Sequence, residues 1–137
     1  METNKITIYT DGGARGNPGP AAIGAVVGSK KYREYIGETT NNVAEYKAVI
    51  MALKKVNQLF GKDKTKDLTL EINVDSELIY KQVAGEYKVK DVDLQPLFIE
   101  IWNLKQDFKE VNFNLVPREK NKEADRLVNE ELDSRLL

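Results

Sequence analysis

Four acidic residues of this 137-residue chain stand where a hydrated carboxylate is not expected. Asp11 and Asp75 end strand-like runs, whereas Glu45 and Asp125 lie on the apolar side of helix-like runs. An unpaired buried carboxylate costs on the order of several kcal/mol, so each of these residues needs a cationic partner. Hard divalent cations prefer oxygen ligands and can balance a cluster of carboxylates. The four positions therefore indicate a metal-dependent enzyme.

Each of the four carboxylates also has a local structural explanation. Glu45 lies three residues after Asn42 and could close a capping box, and Asp75 could cap a short helix. Asp125 suits the positive end of a helix dipole, and Asp11 before two glycines is a common turn residue. These readings stay open for each residue taken singly. What favours a shared site is that the four residues lie on elements expected to converge on one crevice.

The composition excludes several classes of chemistry. The chain has no histidine and no cysteine, which rules out histidine-based catalytic triads, histidine zinc sites, disulfides and thiolate catalysis. The net charge of −1 argues against a dedicated nucleic-acid-binding arm, which would be basic. No apolar run approaches the roughly 20 residues that span a bilayer, and the segment METNKITIYT has no signal-peptide core. We expect a cytoplasmic protein of one domain over residues 1–137, without membrane association.

Hydrophobic periodicity predicts the elements that must position the four acids. Alternation of period two predicts strands, and apolar residues at helical spacing predict helices, in the order βββαβααβα. The charged segment KDKTKD between the first helix and the fourth strand is predicted to be a loop, and Trp102 is placed on the buried side of its helix. The order predicts a mixed α/β sheet covered by helices. The predicted strands are 5–11, 21–28, 32–38, 68–75 and 111–116, and the predicted helices are 42–60, 76–84, 93–108 and 122–137.

The glycine-rich segment GGARGNPGP does not fit the common phosphate-binding loops. It lacks the Gly-Lys-Ser/Thr ending of a P-loop, and it leads into a strand where a dinucleotide-binding loop would lead into a helix. Glycine here allows the backbone to approach a ligand closely, which suits sugar and phosphate groups. An ordinary hairpin loop is the alternative.

Four sequence blocks together carry a family resemblance. They are, in order, YTDGGARGNPGPAAIG, TTNNVAEYKAVIMAL, VDSELIYKQVAGEYKVK and VPREKNKEADRLVNEEL. In these blocks the chain resembles ribonuclease H type 1 over nearly its whole length. The resemblance implies the RNase H-like fold, an α/β fold with a five-stranded mixed sheet, three antiparallel strands followed by two parallel ones, flanked by helices. The independently predicted element order agrees with it.

The same resemblance implies an activity and its cofactors. The chain is expected to hydrolyse the RNA strand of an RNA/DNA hybrid, leaving 3′-hydroxyl and 5′-phosphate ends, with no obligate protein partner. Asp11, Glu45, Asp75 and Asp125 match the family's catalytic metal-binding acids. Two Mg²⁺ ions about 4 Å apart, for which Mn²⁺ can substitute, would activate the attacking water and stabilise the leaving oxygen.

The resemblance also implies a substrate-binding surface. Recognition of 2′-hydroxyl groups distinguishes RNA from DNA, and the glycine-rich loop together with the start of the first helix is expected to provide it. For three of these residues, Thr40, Asn41 and Asn42, helix capping is the alternative role. The expected substrate-binding residues are Gly12, Ala14, Asn17 and Asn41 towards the RNA strand, and Thr40 and Asn42 towards a DNA phosphate and the minor groove of the hybrid.

The chain departs from the family pattern in two places. Many members carry a histidine in the loop before the last acid, where this chain has Arg118 and Glu119, so that role is lost or passes to these accessory candidates. The long basic insertion is missing too, which predicts weak, salt-sensitive substrate binding.

Two other functions are the alternatives to hybrid cleavage. They are a catalytically silent nucleic-acid-binding module and a related nuclease that also cleaves double-stranded RNA. The intact acid set opposes the silent module, because four negative charges facing phosphate would only weaken binding.

Overall fold

The computed structural model describes residues 4–136, which form one five-stranded sheet with helices on both faces. Helix α1 packs on one face of the sheet, and α5 packs on the other. A short 3-10 turn, Arg118–Lys120, precedes α5. The strands are β1 (Lys5–Ala14), β2 (Gly19–Val27), β3 (Lys30–Thr39), β4 (Thr69–Val74) and β5 (Glu110–Leu115), and the helices are α1 (Asn41–Phe60), α2 (Lys62–Thr65), α3 (Glu77–Val83), α4 (Gln95–Lys105) and α5 (Lys122–Ser134).

The strand order is β3-β2-β1-β4-β5. Strands β1, β2 and β3 are antiparallel neighbours, whereas β4 runs parallel to β1 and β5 runs parallel to β4. This arrangement confirms the predicted sheet of three antiparallel and two further parallel strands. It also brings the carboxyl ends of the neighbouring strands β1 and β4 side by side at one end of the sheet.

The main core lies between the sheet and α1. The apolar stripe of α1 includes Val49, Leu53 and Val56, which are fully buried in one cluster with Ile8 and Ile72 from the two central strands. Burial of this stripe accounts for the length of α1, since propensity alone stabilises helices only weakly. The helix begins at the N-cap Thr40, whose hydroxyl accepts a hydrogen bond from the backbone N–H of Val43, so Asn42 is not the N-cap that a capping box with Glu45 would require.

Three other predictions differ from the structure. The segment KDKTKD includes the short helix α2, because the Thr65 side chain is buried and its hydroxyl donates to the carbonyl of Lys62. Trp102 is 55% exposed, with the ammonium of Lys105 over its ring at 5.3 Å, so it lies outside the buried stripe of α4. Helix α5 ends at Ser134, and the final residue of the predicted helix lies outside the described residues. Within residues 4–136 no helix has the length and apolar character needed to cross a membrane.

Candidate functional site

Two glycines determine how closely the helices approach the strands. A Cβ added to Gly12 in β1 would lie 2.3 Å from the carbonyl carbon of Ala44, and one added to Gly24 in β2 would lie 2.8 Å from the carbonyl oxygen of Ala124. Both distances are far below an ordinary contact, so only glycine permits these approaches. Each helix residue contacted in this way directly precedes one of the acids, Glu45 on α1 or Asp125 on α5.

The strand pairing and the first glycine contact bring three of the acids together. Asp11 lies in β1, Asp75 directly follows the neighbouring parallel strand β4, and Glu45 comes from α1 above them. One carboxylate oxygen from each of the three lies within 4.8 Å of the others. Asp125 is not part of this group of three but lines the same cleft, which has a volume of about 390 Å³. Strand β1 continues three residues beyond Asp11, so the prediction that Asp11 ends its strand was wrong.

The crowded carboxylates shift one another's titration. Burial, followed by the negative charges of Asp75, Glu45 and Asp125, raises the pKa of Asp11 to about 8, even though a hydrogen bond from the backbone N–H of Gly12 lowers it. The protein alone therefore leaves the negative charge at Asp11 largely uncompensated.

The pKa of Glu45 is raised as well, but two neighbouring groups oppose the rise. Burial and the charge of Asp75 raise its pKa, a hydrogen bond with the Ser76 side chain and the positive charge of Arg118 lower it, and the net result is a pKa of about 7. A site that resists ionisation of two carboxylates in this way is one that an added cation would stabilise.

The donor set fits a hard divalent cation. The three clustered groups are all carboxylates, and the chain has no histidine or cysteine that would favour zinc or another softer metal. Residues Asp11, Glu45 and Asp75 can therefore hold a metal ion, and Asp125 lines the same cleft.

Comparison with known proteins identifies the family. Residues 10–131 match the family model described as reverse transcriptase-like. The chain is 38% identical to ribonuclease HI of Halobacterium salinarum over 94% of this chain and 65% of that protein. It superimposes with a TM-score of 0.90 and 48% identity on LC11-RNase H1, isolated from compost by a metagenomic approach, in a complex with an RNA/DNA hybrid, over 96% of this chain and 99% of that one. The chain belongs to the ribonuclease H family.

One relative of this chain is a much longer protein. The chain is 38% identical to a bifunctional protein of Mycobacterium tuberculosis over 95% of its own length but only 36% of the relative's length. The ribonuclease H chain thus spans about a third of this mycobacterial protein. The comparisons show the fold and the family of this chain.

The predicted substrate-binding residues of this ribonuclease H chain lie around a loop that is tied to α1. The Asn41 side-chain oxygen accepts from the backbone N–H of Ala14 at 2.7 Å, and the Asn17 side-chain oxygen accepts from the backbone N–H of Asn41 at 3.0 Å. Thr40 caps the helix, and the neighbouring Asn42 is half-buried. The two asparagines therefore hold the glycine-rich loop in place, whatever they bind, and their contact with substrate stays a prediction.

The two accessory candidates differ in position. Arg118 lines the cleft, and its charge acts on Glu45. Glu119 is exposed and is not among the residues that line the cleft. Of the two, Arg118 alone is placed to take part in events in the cleft.

Sequence reasoning missed several residues at the site. Ser76 lines the cleft beside Asp75 and bonds to Glu45, and its place directly after a predicted acid was an available signal. Arg15 lines the cleft and donates to Asp133 on α5 at 2.7 Å, a contact over 118 residues that no local pattern indicates. Asn121 was also missed, although it lies one helical turn before Asp125.

Proposed function

We propose that this chain is a metal-dependent endoribonuclease that hydrolyses the RNA strand of RNA/DNA hybrids and leaves 3′-hydroxyl and 5′-phosphate ends. The observation that carries the proposal is the convergence of Asp11, Glu45 and Asp75 within 4.8 Å, with Asp125 in the same open cleft. The related LC11-RNase H1, which is 48% identical and has been solved with an RNA/DNA hybrid, supports the substrate class.

The proposed cofactor is Mg²⁺, with Mn²⁺ as a substitute. Asp11, Glu45 and Asp75 would hold the cation, and Asp125 would face it from the other side of the cleft. When bound, such ions supply a water activated for attack and neutralise charge on the phosphate and the leaving oxygen. Mg²⁺ is held through few carboxylates and keeps several waters, which suits an open cleft with a small acid set.

The chain's own residues orient the acids and receive the substrate. The Gly12 N–H holds the Asp11 carboxylate, and the Ser76 hydroxyl holds that of Glu45, so both carboxylates keep fixed directions. Arg118 adds a positive charge at the rim that attracts the phosphate backbone. The loop held by Asn41 lines the cleft, where 2′-hydroxyl groups can be recognised.

The test is cleavage of an end-labelled RNA/DNA hybrid with Mg²⁺ and then Mn²⁺. We expect internal cuts in the RNA strand that disappear with EDTA and in Asp11→Asn but persist in Asp93→Asn, which alters an exposed carboxylate away from the cleft. Parallel reactions with double-stranded RNA and double-stranded DNA define the specificity. Hybrid binding without any cleavage would favour the silent binding module, and equal cleavage of double-stranded RNA would favour the broader nuclease.

The proposal also includes the cellular location of the enzyme and its division into domains. We infer a cytoplasmic enzyme whose residues 1–137 act as one RNase H domain, supported by the absence of cysteine from the sequence and by the single sheet that the described residues share. Because few basic residues line the cleft, hybrid binding should weaken steeply as salt rises.

A further inference from the structure

Asn121 occupies the N-cap position of α5 but does not cap the helix. Asparagine is favoured at this position because its side-chain oxygen accepts a hydrogen bond from the backbone N–H of the second or third helical residue. Here the side chain makes no such bond, with backbone angles φ −118° and ψ 25°. The residue is only 1% exposed, so bulk solvent does not reach its side chain. A helix-capping role therefore does not explain this asparagine.

The amide is directed into the site. Its Nδ2 donates to the backbone oxygen of Thr10 at 2.9 Å and to Oδ2 of Asp75 at 3.0 Å. Because both partners are acceptors, the nitrogen must face them and the amide oxygen must point away. In residues 4–136 that Oδ1 is a buried side-chain atom without a hydrogen-bond partner. An unpartnered buried acceptor opposes folding. Together with the missing helix cap, it makes this arrangement less stable than one in which Asn121 caps α5.

The same residue joins the elements that carry three of the acids. Thr10 directly precedes Asp11 in β1, and Asp75 follows β4. The backbone oxygen of Asn121 also accepts from the N–H of Asp125 at 3.1 Å, which is the first helical hydrogen bond of α5. One buried asparagine thus ties the end of β4 to β1 and to the turn of α5 that presents Asp125.

We infer that Asn121 is a positioning residue that sets the affinity of the carboxylate cluster for its divalent cation. It engages one oxygen of Asp75 and leaves the other for the cleft, and it fixes the start of α5 relative to the strands. The inference deepens the proposed function and rests on it, since it concerns the ligands of the proposed cation. Loss of such an outer partner of a metal ligand typically weakens metal binding about 10–100-fold.

The decisive variant is Asn121→Ser. Serine is as good an N-cap as asparagine but is too short to bridge Thr10 and Asp75, so the variant should gain a cap while losing the bridge. We expect its metal-free melting temperature to change by less than about 5 °C. We expect its Kd for Mn²⁺, measured by titration calorimetry without substrate, to rise about tenfold or more. Asn121→Ala should show the same loss of affinity with a lower melting temperature, because it gains no cap.

The matched control is Asn112→Ala. Asn112 on β5 donates to Glu71 on β4 at 2.6 Å, so it also forms an asparagine–carboxylate pair between two elements, but outside the cleft. This variant should leave the Kd for Mn²⁺ unchanged. In cleavage assays, high Mn²⁺ should restore much of the turnover of Asn121→Ser, as expected when affinity is lost but the acids remain.

The outcomes separate the inference from the proposed function. If Asn121→Ser binds Mn²⁺ as tightly as the wild type, or if Asn112→Ala weakens binding equally, Asn121 is not a positioning residue, even where hybrid cleavage is observed. Failure of the wild type to bind Mn²⁺ would overturn the inference as well. If the wild type binds Mn²⁺ and the variant binds it weakly, yet no hybrid is cleaved, the positioning role stands and the proposed activity fails.

Discussion

Replacement of Asp11 by asparagine is expected to stabilise the metal-free protein at alkaline pH. The folded protein raises the pKa of Asp11 from 3.8 to about 8, chiefly through burial and then through the charges of Asp75, Glu45 and Asp125. The folded state therefore holds this proton more tightly than the unfolded chain does. Ionisation at Asp11 costs stability, and the free energy of unfolding falls as the pH rises from about 4 to about 8.

The size of the effect follows from the shift. A difference of about four pKa units corresponds to at most about 6 kcal/mol. We expect about 2–3 kcal/mol in practice, because water enters the open cleft and the neighbouring carboxylates also take up protons. That is a large part of the roughly 5–15 kcal/mol that stabilises an ordinary domain. For a chain of this length it corresponds to a rise in melting temperature of about 5–12 °C at pH 8.5.

The assay is thermal unfolding in EDTA at pH 5 and pH 8.5, repeated with Mn²⁺. Asp11→Asn should melt well above the wild type at pH 8.5 and close to it at pH 5, where the wild-type carboxyl is already neutral. Mn²⁺ should raise the melting temperature of the wild type and have much less effect on the variant, because binding to the folded state alone stabilises it. Asp93→Asn is the control and should follow the wild type throughout.

Two results would refute this reasoning. One is an Asp11→Asn variant that is less stable than the wild type at pH 8.5 in EDTA. The other is a stabilisation of equal size at both pH values, since that would have to come from packing and not from the charge of the carboxylate.

Three further predictions concern other parts of the site. Gly12→Ala should destabilise the fold by about 3 kcal/mol or more in denaturant unfolding, because its Cβ would overlap the backbone of α1. Asp75→Asn should abolish hybrid cleavage, whereas Arg118→Ala should lower turnover only moderately; near-complete loss from both would mean that the role of the arginine has been misread. Thr40→Ala should cost about 1 kcal/mol of stability by removal of the α1 cap, and an unchanged KM for hybrid would assign Thr40 to capping alone.

Most of the fold could be predicted from local patterns. The period-two runs at residues 68–75 and 111–116 correspond to β4 and β5, and the apolar stripe that follows Asn42 corresponds to α1. The extension of β1 through Gly13 to Ala14 could not be predicted in this way, because glycines show no alternation of side chains. Only the pairing of these residues with β2 keeps them in the strand.

The acids of the site were also recognisable, because a carboxylate at an apolar position contradicts its surroundings. Their convergence on one crevice was predicted too, but the closer grouping of three of them was not. Nothing in the sequence separates Asp125 from the three acids whose oxygens lie within 4.8 Å. Nor does it indicate that β1 extends past Asp11, or that Trp102 lies at the surface.

The sequence by itself determined the chemical types, namely carboxylates without histidine or cysteine, and the order of the elements that carry them. Only the tertiary structure decided which groups meet. The elevated pKa of Asp11 depends on burial and then on Asp75, and the hydrogen bond from Asn121 reaches Asp75 across 46 residues. Both require the parallel pairing of β1 with β4 and the docking of α5. Charge repulsion, burial and hydrogen bonding depend on distances in space, and those distances exist only when the sheet has formed.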